Sequence, residues 1–327
     1  MLRQKARLPL KSVQFPSTEA SVFMSDLLLS AAAGREPLQA SFSDAANPLG
    51  LDGIEFIEYV TSKPQALGQV LEMMGFRPVG RHRSREVLLY RQGELNIVVN
   101  AHPTDARGGG HGGEVPFISA MALRVRDARS AYHYVLERGA WSVPTHAEVM
   151  ELNIPAIHGA GNSRIYFVDR YAEFSIYDVD FVPIPSVDQR PPATAGVHFF
   201  GVVQYIGPER SNDWIQFYNE LFGTELIPDE QRFGIMPKGT LLRTPALDPA
   251  RRFMLQLIEP EINVVDSEER LQRIGLGVPD VLAAVKALRA LGVEFVETEA
   301  AHTEQRGAIT KTYLGSVVFE LVHSEKA

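Results

Sequence analysis

The stretch DGIEFIEYV (52–60) switches between apolar and polar positions at short range, with aromatic and β-branched residues at the apolar ones. Successive side chains of a strand point to opposite faces, so this pattern predicts a strand. In PQALGQVLEMMGF (64–76) the apolar residues recur every three or four positions, which predicts a helix. EVLLYRQG (86–93) and LNIVVN (95–100) read as strands. A strand follows in AMALRVRD (120–127), then a helix in ARSAYHYVLERGA (128–140), and strands in RIYFVDR (164–170) and FSIYDVDFV (174–182).

The same order returns further on. VHFFGVVQYI (197–206) predicts a strand and DWIQFYNELFG (213–223) a helix. QRIGLGVPD (272–280) follows, then the helix VLAAVKALRALGV (281–293), then strands in EFVETEA (294–300), ITKTYLG (309–315) and VVFELVH (317–323). Val125, Asp127 and Gly139 each recur 153 positions later, as Val278, Asp280 and Gly292. Gly75 and Gly223 close the earlier helix of each half, as C-terminal cap glycines do. Between the halves, PIPSVDQRPPATAG (183–196) is rich in proline and polar residues and reads as a linker. The expected fold is α+β: two tandem paired βαβββ modules, residues 47–185 and 197–327, with 186–196 between them. Residues 1–46 fall outside both repeats and read as a flexible or partner-covering extension, within which Met24 is a second candidate start. Their early basic residues and the apolar patch at 27–33 follow the order of a secretory signal, but Asp26 interrupts it and the patch is short.

Bulk composition narrows the function. The 327 residues are 45% hydrophobic and 22% charged, ordinary values for a globular protein with room for a core. The net charge of −8, spread along the chain, argues against nucleic acid or an anionic membrane as partner. No apolar run approaches the roughly 18 residues that a membrane span needs. There is no cysteine, so disulfides and thiolate metal sites are excluded and a cytoplasmic location is permitted.

One residue breaks the pattern. Glu320 lies inside Val317, Val318, Phe319, Leu321 and Val322, and shares a strand face with Val318 and Val322. A carboxylate on a buried face is costly unless something pairs with it.

Repeated βαβββ units are the organisation of the vicinal-oxygen-chelate superfamily, in which paired units curl around a cavity that holds a metal. NPLGLDGIEFIEYV, MMGFRPVGRHRSREVLLYRQGELNIVVNAHP, MALRVRDARSAYHYVLERGA and SIYDVDFV resemble the first module of 4-hydroxyphenylpyruvate dioxygenase. The resemblance implies a structural first module and an active cavity in the second. It implies Fe(II), or another divalent metal, held by two histidines and a glutamate, and oxidation of an aromatic 2-oxoacid. VVFELV matches the family's closing strand, which makes Glu320 the metal ligand by position. The first histidine position falls at Gly201 and the second at Arg273. Glycine has no side-chain donor, and arginine stays protonated. If the loop GPERSND takes up extra residues, the pairing slides and His198 becomes the first ligand, although a slip of three also exchanges the strand face.

Arg273 offers another solution. It could pair with Glu320, or hold an acidic substrate by its carboxylate. Gln204, Gln256 and Gln272 are further candidates for lining the cavity and orienting a ligand. His302 lies in a polar loop, and His323 points away from the Glu320 face. RGGGHGG (107–113) lacks the Lys-Ser/Thr of a phosphate loop. RHRSR (81–85) reads as a solvated turn rather than an anion patch. Two functions stay open: an iron-dependent dioxygenase with an incomplete ligand set, and a metal-free protein that binds a small aromatic or 2-oxoacid ligand. Some 3-dehydroshikimate dehydratases carry a similar domain fused to a barrel, so a role as partner of such an enzyme is a third. A homodimer is compatible with each.

Overall fold

The computed structural model describes residues 46–101, 115–144, 152–228, 239–260, 268–299 and 301–325. The N-terminal extension and the RGGGHGG segment lie outside the described residues. In the first half the elements are β1 (Ile54–Val60), α1 (Pro64–Met73), β2 (Arg77–His82), β3 (Val87–Gln92) and β4 (Leu95–Asn100). They continue with β5 (Phe117–Arg124), α2 (Ala128–Glu137), β6 (Ala156–His158), β7 (Arg164–Val168), α3 (Ile176–Asp180) and β8 (Phe181–Pro183). In the second half they are β9 (His198–Tyr205), α4 (Ser211–Phe222), β10 (Glu225–Leu226), β11 (Thr240–Arg243) and β12 (Met254–Ile258). They end with β13 (Arg270–Val278), α5 (Val281–Ala290), β14 (Gly307–Ile309) and β15 (Phe319–His323).

The repeat is structural as well as sequential. α2 and α5 start and end at positions 153 apart. Each starts at an aspartate whose side chain accepts a backbone N–H: Asp127 from Ser130, and Asp280 from Ala283. This satisfies one of the donors that a helix start leaves open. Each helix is followed by a glycine with positive φ, +88° at Gly139 and +99° at Gly292. α5 buries Val281, Ala284, Val285 and Leu288, one stripe at helical spacing.

Strand pairing repeats in the same way. β1 runs parallel to β4 and antiparallel to β5, and β5 runs parallel to β7. Correspondingly, β9 runs parallel to β12 and antiparallel to β13, and β13 runs parallel to β15. The halves join where Leu271 of β13 pairs with Ile118 of β5. One hydrophobic cluster runs through both halves, from Leu49, Leu67 and Phe167 to Phe222, Leu276 and Phe319.

Three expected strands differ. FSIYDVDFV is mostly the short helix α3, because Ser175 N–H and Oγ both donate to Asp178 Oδ2 and close a helical turn. Only its last residues enter β8. EFVETEA is reduced to a bridge between Phe295 and Thr310, and ITKTYLG turns at Tyr313–Val317 instead of extending. Leu314 and Gly315 both have positive φ, which a continuing strand does not allow.

Candidate functional site

The neighbours of Glu320 follow from register. Glu320 on β15 pairs with Gly275 on β13, Gly275 with Gly201 on β9, and Gly201 with Met254 on β12. Two residues along, Arg273 pairs with Val203, and Val203 with Gln256. Because strand faces alternate, these rows lie on one side of the sheet. Among the described residues, Gly201, Val203, Gln256, Gly275 and Glu320 of these rows line a hollow of about 30 Å³, and Arg273 is not part of its lining.

Arg273 and Glu320 form an ion pair inside the protein. Arg273 Nε donates to Glu320 Oε2 at 2.9 Å, and the two side chains are 3% and 7% exposed. Arg273 Nη2 is buried and has no hydrogen-bond partner among the described residues. Each charge lowers the desolvation cost of the other, which leaves one guanidinium donor over. Gly201 admits no larger residue as the backbone stands, since a Cβ there would lie 2.4 Å from Met254 O.

The other sequence candidates are dispersed. His198 packs over Gly277, with Nδ1 3.2 Å from Gly196 O and Nε2 3.2 Å from Ser324 Oγ. A carbonyl only accepts, so Nδ1 carries the proton and Nε2 accepts from the hydroxyl. Both ring nitrogens are thereby engaged. Gln204 lies on the opposite face, under α4, where its Oε1 accepts from Tyr218 Oη at 2.5 Å. Gln272 is the extra residue of a bulge between Leu271 and Arg273, and accepts from Arg270 Nε. Gln256 does share the Glu320 side. His302 is exposed beside Glu304, and His323 is exposed at the end of β15. Among the described residues no three His, Asp or Glu side chains are grouped to hold a metal ion.

The first half shows what the same place looks like when filled. Phe56 pairs with Ala122, and Ala122 with Tyr166, as Gly201 pairs with Gly275 and Gly275 with Glu320. The Phe56 and Tyr166 rings meet at 5.9 Å between centroids, within an apolar cluster with Val79, Leu89 and Val98. Sequence reasoning missed the polar set beside this cluster. Arg124 Nε donates to Glu55 Oε2 at 2.5 Å, Asn96 Nδ2 donates to Glu55 O at 3.0 Å, and Arg91 Nε donates to Asn96 Oδ1 at 2.7 Å. The available signal was the one used for Glu320, a carboxylate between apolar strand neighbours.

Residues 45–182 match the family model described as hydroxyphenylpyruvate dioxygenase, N-terminal. The chain is 40% identical over 262 residues to a 4-hydroxyphenylpyruvate dioxygenase of a Pseudomonas species, with 76% of this chain and 72% of the relative covered. It is 35% identical over 273 residues to the hemolysin VllY of Vibrio vulnificus, with 78% and 74% covered. A 3-dehydroshikimate dehydratase of Pseudomonas aeruginosa is 31% identical over 258 residues, which cover 75% of this chain and 40% of that protein. Among solved structures, a xylose isomerase-like TIM barrel/4-hydroxyphenylpyruvate dioxygenase fusion protein has a TM-score of 0.66 at 22% identity, over 92% of this chain and 53% of that one. A mutant 4-hydroxymandelate synthase from Streptomyces coelicolor has a TM-score of 0.61 at 17% identity, with 84% and 93% covered. At those identities the structures speak for the fold, and the sequence relatives establish the family. The chain belongs to the 4-hydroxyphenylpyruvate dioxygenase family.

Proposed function

We propose that this member of the family binds a small organic acid in its second module, residues 197–327, without assembling the family's iron centre. The observation that carries the reading is the buried Arg273–Glu320 pair. The carboxylate that the family resemblance offers to a metal is already held by a cation, and a second cation beside that guanidinium would be repelled. The donor set does not fit iron. Glycine stands at one histidine position and cannot be enlarged as the backbone stands, arginine stands at the other, and His198 has both nitrogens engaged.

What the residues can do is bind. Arg273 Nη2 is a buried donor with nothing to donate to among the described residues, and a carboxylate oxygen satisfies such a group. Gln256 lines the hollow on the same side, whose about 30 Å³ admit a carboxylate group while the rest of the acid lies outside it. The relatives' names point to arylpyruvates and hydroxymandelate, so aromatic 2-oxoacids and 2-hydroxyacids are the class to try first.

A metal assay decides between this reading and an iron-dependent dioxygenase, which the relatives at 31–40% identity favour. The protein, purified without chelator, is analysed for bound metal and melted with and without added Fe(II). We expect no stoichiometric metal and no Fe(II)-dependent rise in Tm, because a ligand stabilises only the state that binds it. Tight equimolar Fe(II) binding that disappears in Glu320→Gln would establish the dioxygenase instead.

A further inference from the structure

The first half holds a larger cavity, whose lining shares no residue with the hollow at Glu320. It measures about 990 Å³, near the upper end of small-molecule sites. Val79 and Leu89 of the apolar cluster around Phe56 line it together with polar and charged side chains. Five arginines line it: Arg83, Arg91, Arg124, Arg190 and Arg251. Two of these are matched by carboxylates, Arg124 by Glu55 and Arg251 by Asp52. The others are held differently. Arg83 Nε donates to the Val179 carbonyl, and Arg91 donates to the Asn96 side chain and to the Gln189 carbonyl at 3.0 Å. These acceptors are neutral and fix the guanidinium planes, while Glu55, Glu94, Glu173 and Asp178 line the same cavity and offset part of the arginine charge.

The walls also carry aromatic surface. Arg91 lies 5.2 Å over the Tyr177 ring, Arg124 lies 5.4 Å over the Tyr171 ring, and Phe181 meets Tyr177 edge-on at 5.7 Å. Glu55 is the extra residue of a bulge in β1, between Ile54 and Phe56, which explains how a strand residue next to Phe56 reaches the same cavity. Burial pushes its carboxyl above the usual range, against the opposing pull of Arg124. Buried ionisable groups gathered in a cavity are a place to look for a binding site.

We propose that this first-module cavity is a second binding site, for an aromatic carboxylic acid whose carboxylate rests on Arg91 and Arg190 and whose ring lies against the Tyr171 and Tyr177 wall. The pre-oriented Arg91 fork supplies directional donors, and the exposed Arg190 closes the mouth with a second charge. The first half thus keeps a ligand site even though the position matching Glu320 is occupied by Tyr166.

The test is calorimetric titration of the full chain with phenylacetate, and with benzylamine as a cation of the same skeleton. A saturable event is expected with the acid and none with the amine. Arg91→Gln should weaken it roughly tenfold or more, the usual worth of a charge-assisted hydrogen bond. Arg91 also steadies its neighbours, so Arg190→Gln is the second variant. Arg190 is exposed, so the fold should tolerate the change and binding should still fall by roughly threefold. The double change Arg273→Met with Glu320→Leu removes the second-module anchor and should leave a saturable event intact. Absence of binding, binding indifferent to both Arg91 and Arg190, or loss in the double variant would each overturn the proposal.

Discussion

Glu320 and Arg273 illustrate how two costly residues become tolerable together. Either one alone would be a buried, unpaired charge. Glu320→Gln or Arg273→Met should each destabilise the protein by about 3–5 kcal/mol, whereas the double change to apolar residues should recover much of the loss. Urea unfolding of the four proteins measures the coupling. Additive losses would mean that the pair does not interact. At Glu55 burial outweighs the partners and raises the pKa. The folded state then binds a proton more readily than the unfolded chain does. The stability contributed by Glu55 is complete below the ordinary carboxyl range and lost as pH rises through the raised folded value. Glu55→Gln removes that dependence. Its stability relative to wild type should improve as pH rises above the ordinary carboxyl range, as read from urea midpoints at successive pH values. A flat difference would contradict the burial argument.

At the scale of elements, the caps of α2 and α5 are equivalent by position and by chemistry. Asp127→Ala and Asp280→Ala each remove one side-chain acceptor from a helix start and should each cost about 1 kcal/mol. Gly139 separates conformation from packing, since a Cβ there meets nothing within 4 Å while φ is +88°. Gly139→Ala should therefore cost about 1–2 kcal/mol from backbone strain alone. Thermal melts of the three variants are the check, and an unchanged Gly139→Ala would show that the turn relaxes.

For the whole molecule, the sheet crosses from one half to the other through β5 and β13, and one apolar cluster draws residues from both. The halves should therefore melt in one transition, with calorimetric and van't Hoff enthalpies in agreement. Two resolved transitions would mean that the shared core is too weak to couple them.

The sequence by itself determined the repeat, because periodicity, capping aspartates and turn glycines act within a few residues of each other. It also marked Glu320, because a carboxylate among Val318, Phe319 and Leu321 is conspicuous without any structure. Only the tertiary structure decided what that carboxylate touches. A partner on another strand is set by register, and Arg273, 47 positions away, is reached through the pairing of Glu320 with Gly275. Register likewise turned Gln204 under α4, and a single bulge brought Glu55 into the first-half cavity. FSIYDVDFV became a helix because one serine–aspartate contact outweighed strand-like alternation. The cross-strand and cavity contacts form between groups whose spacing along the chain does not encode their distance in space, which is why composition and period do not reveal them, whereas the Ser175–Asp178 spacing of three was there to be read in the sequence.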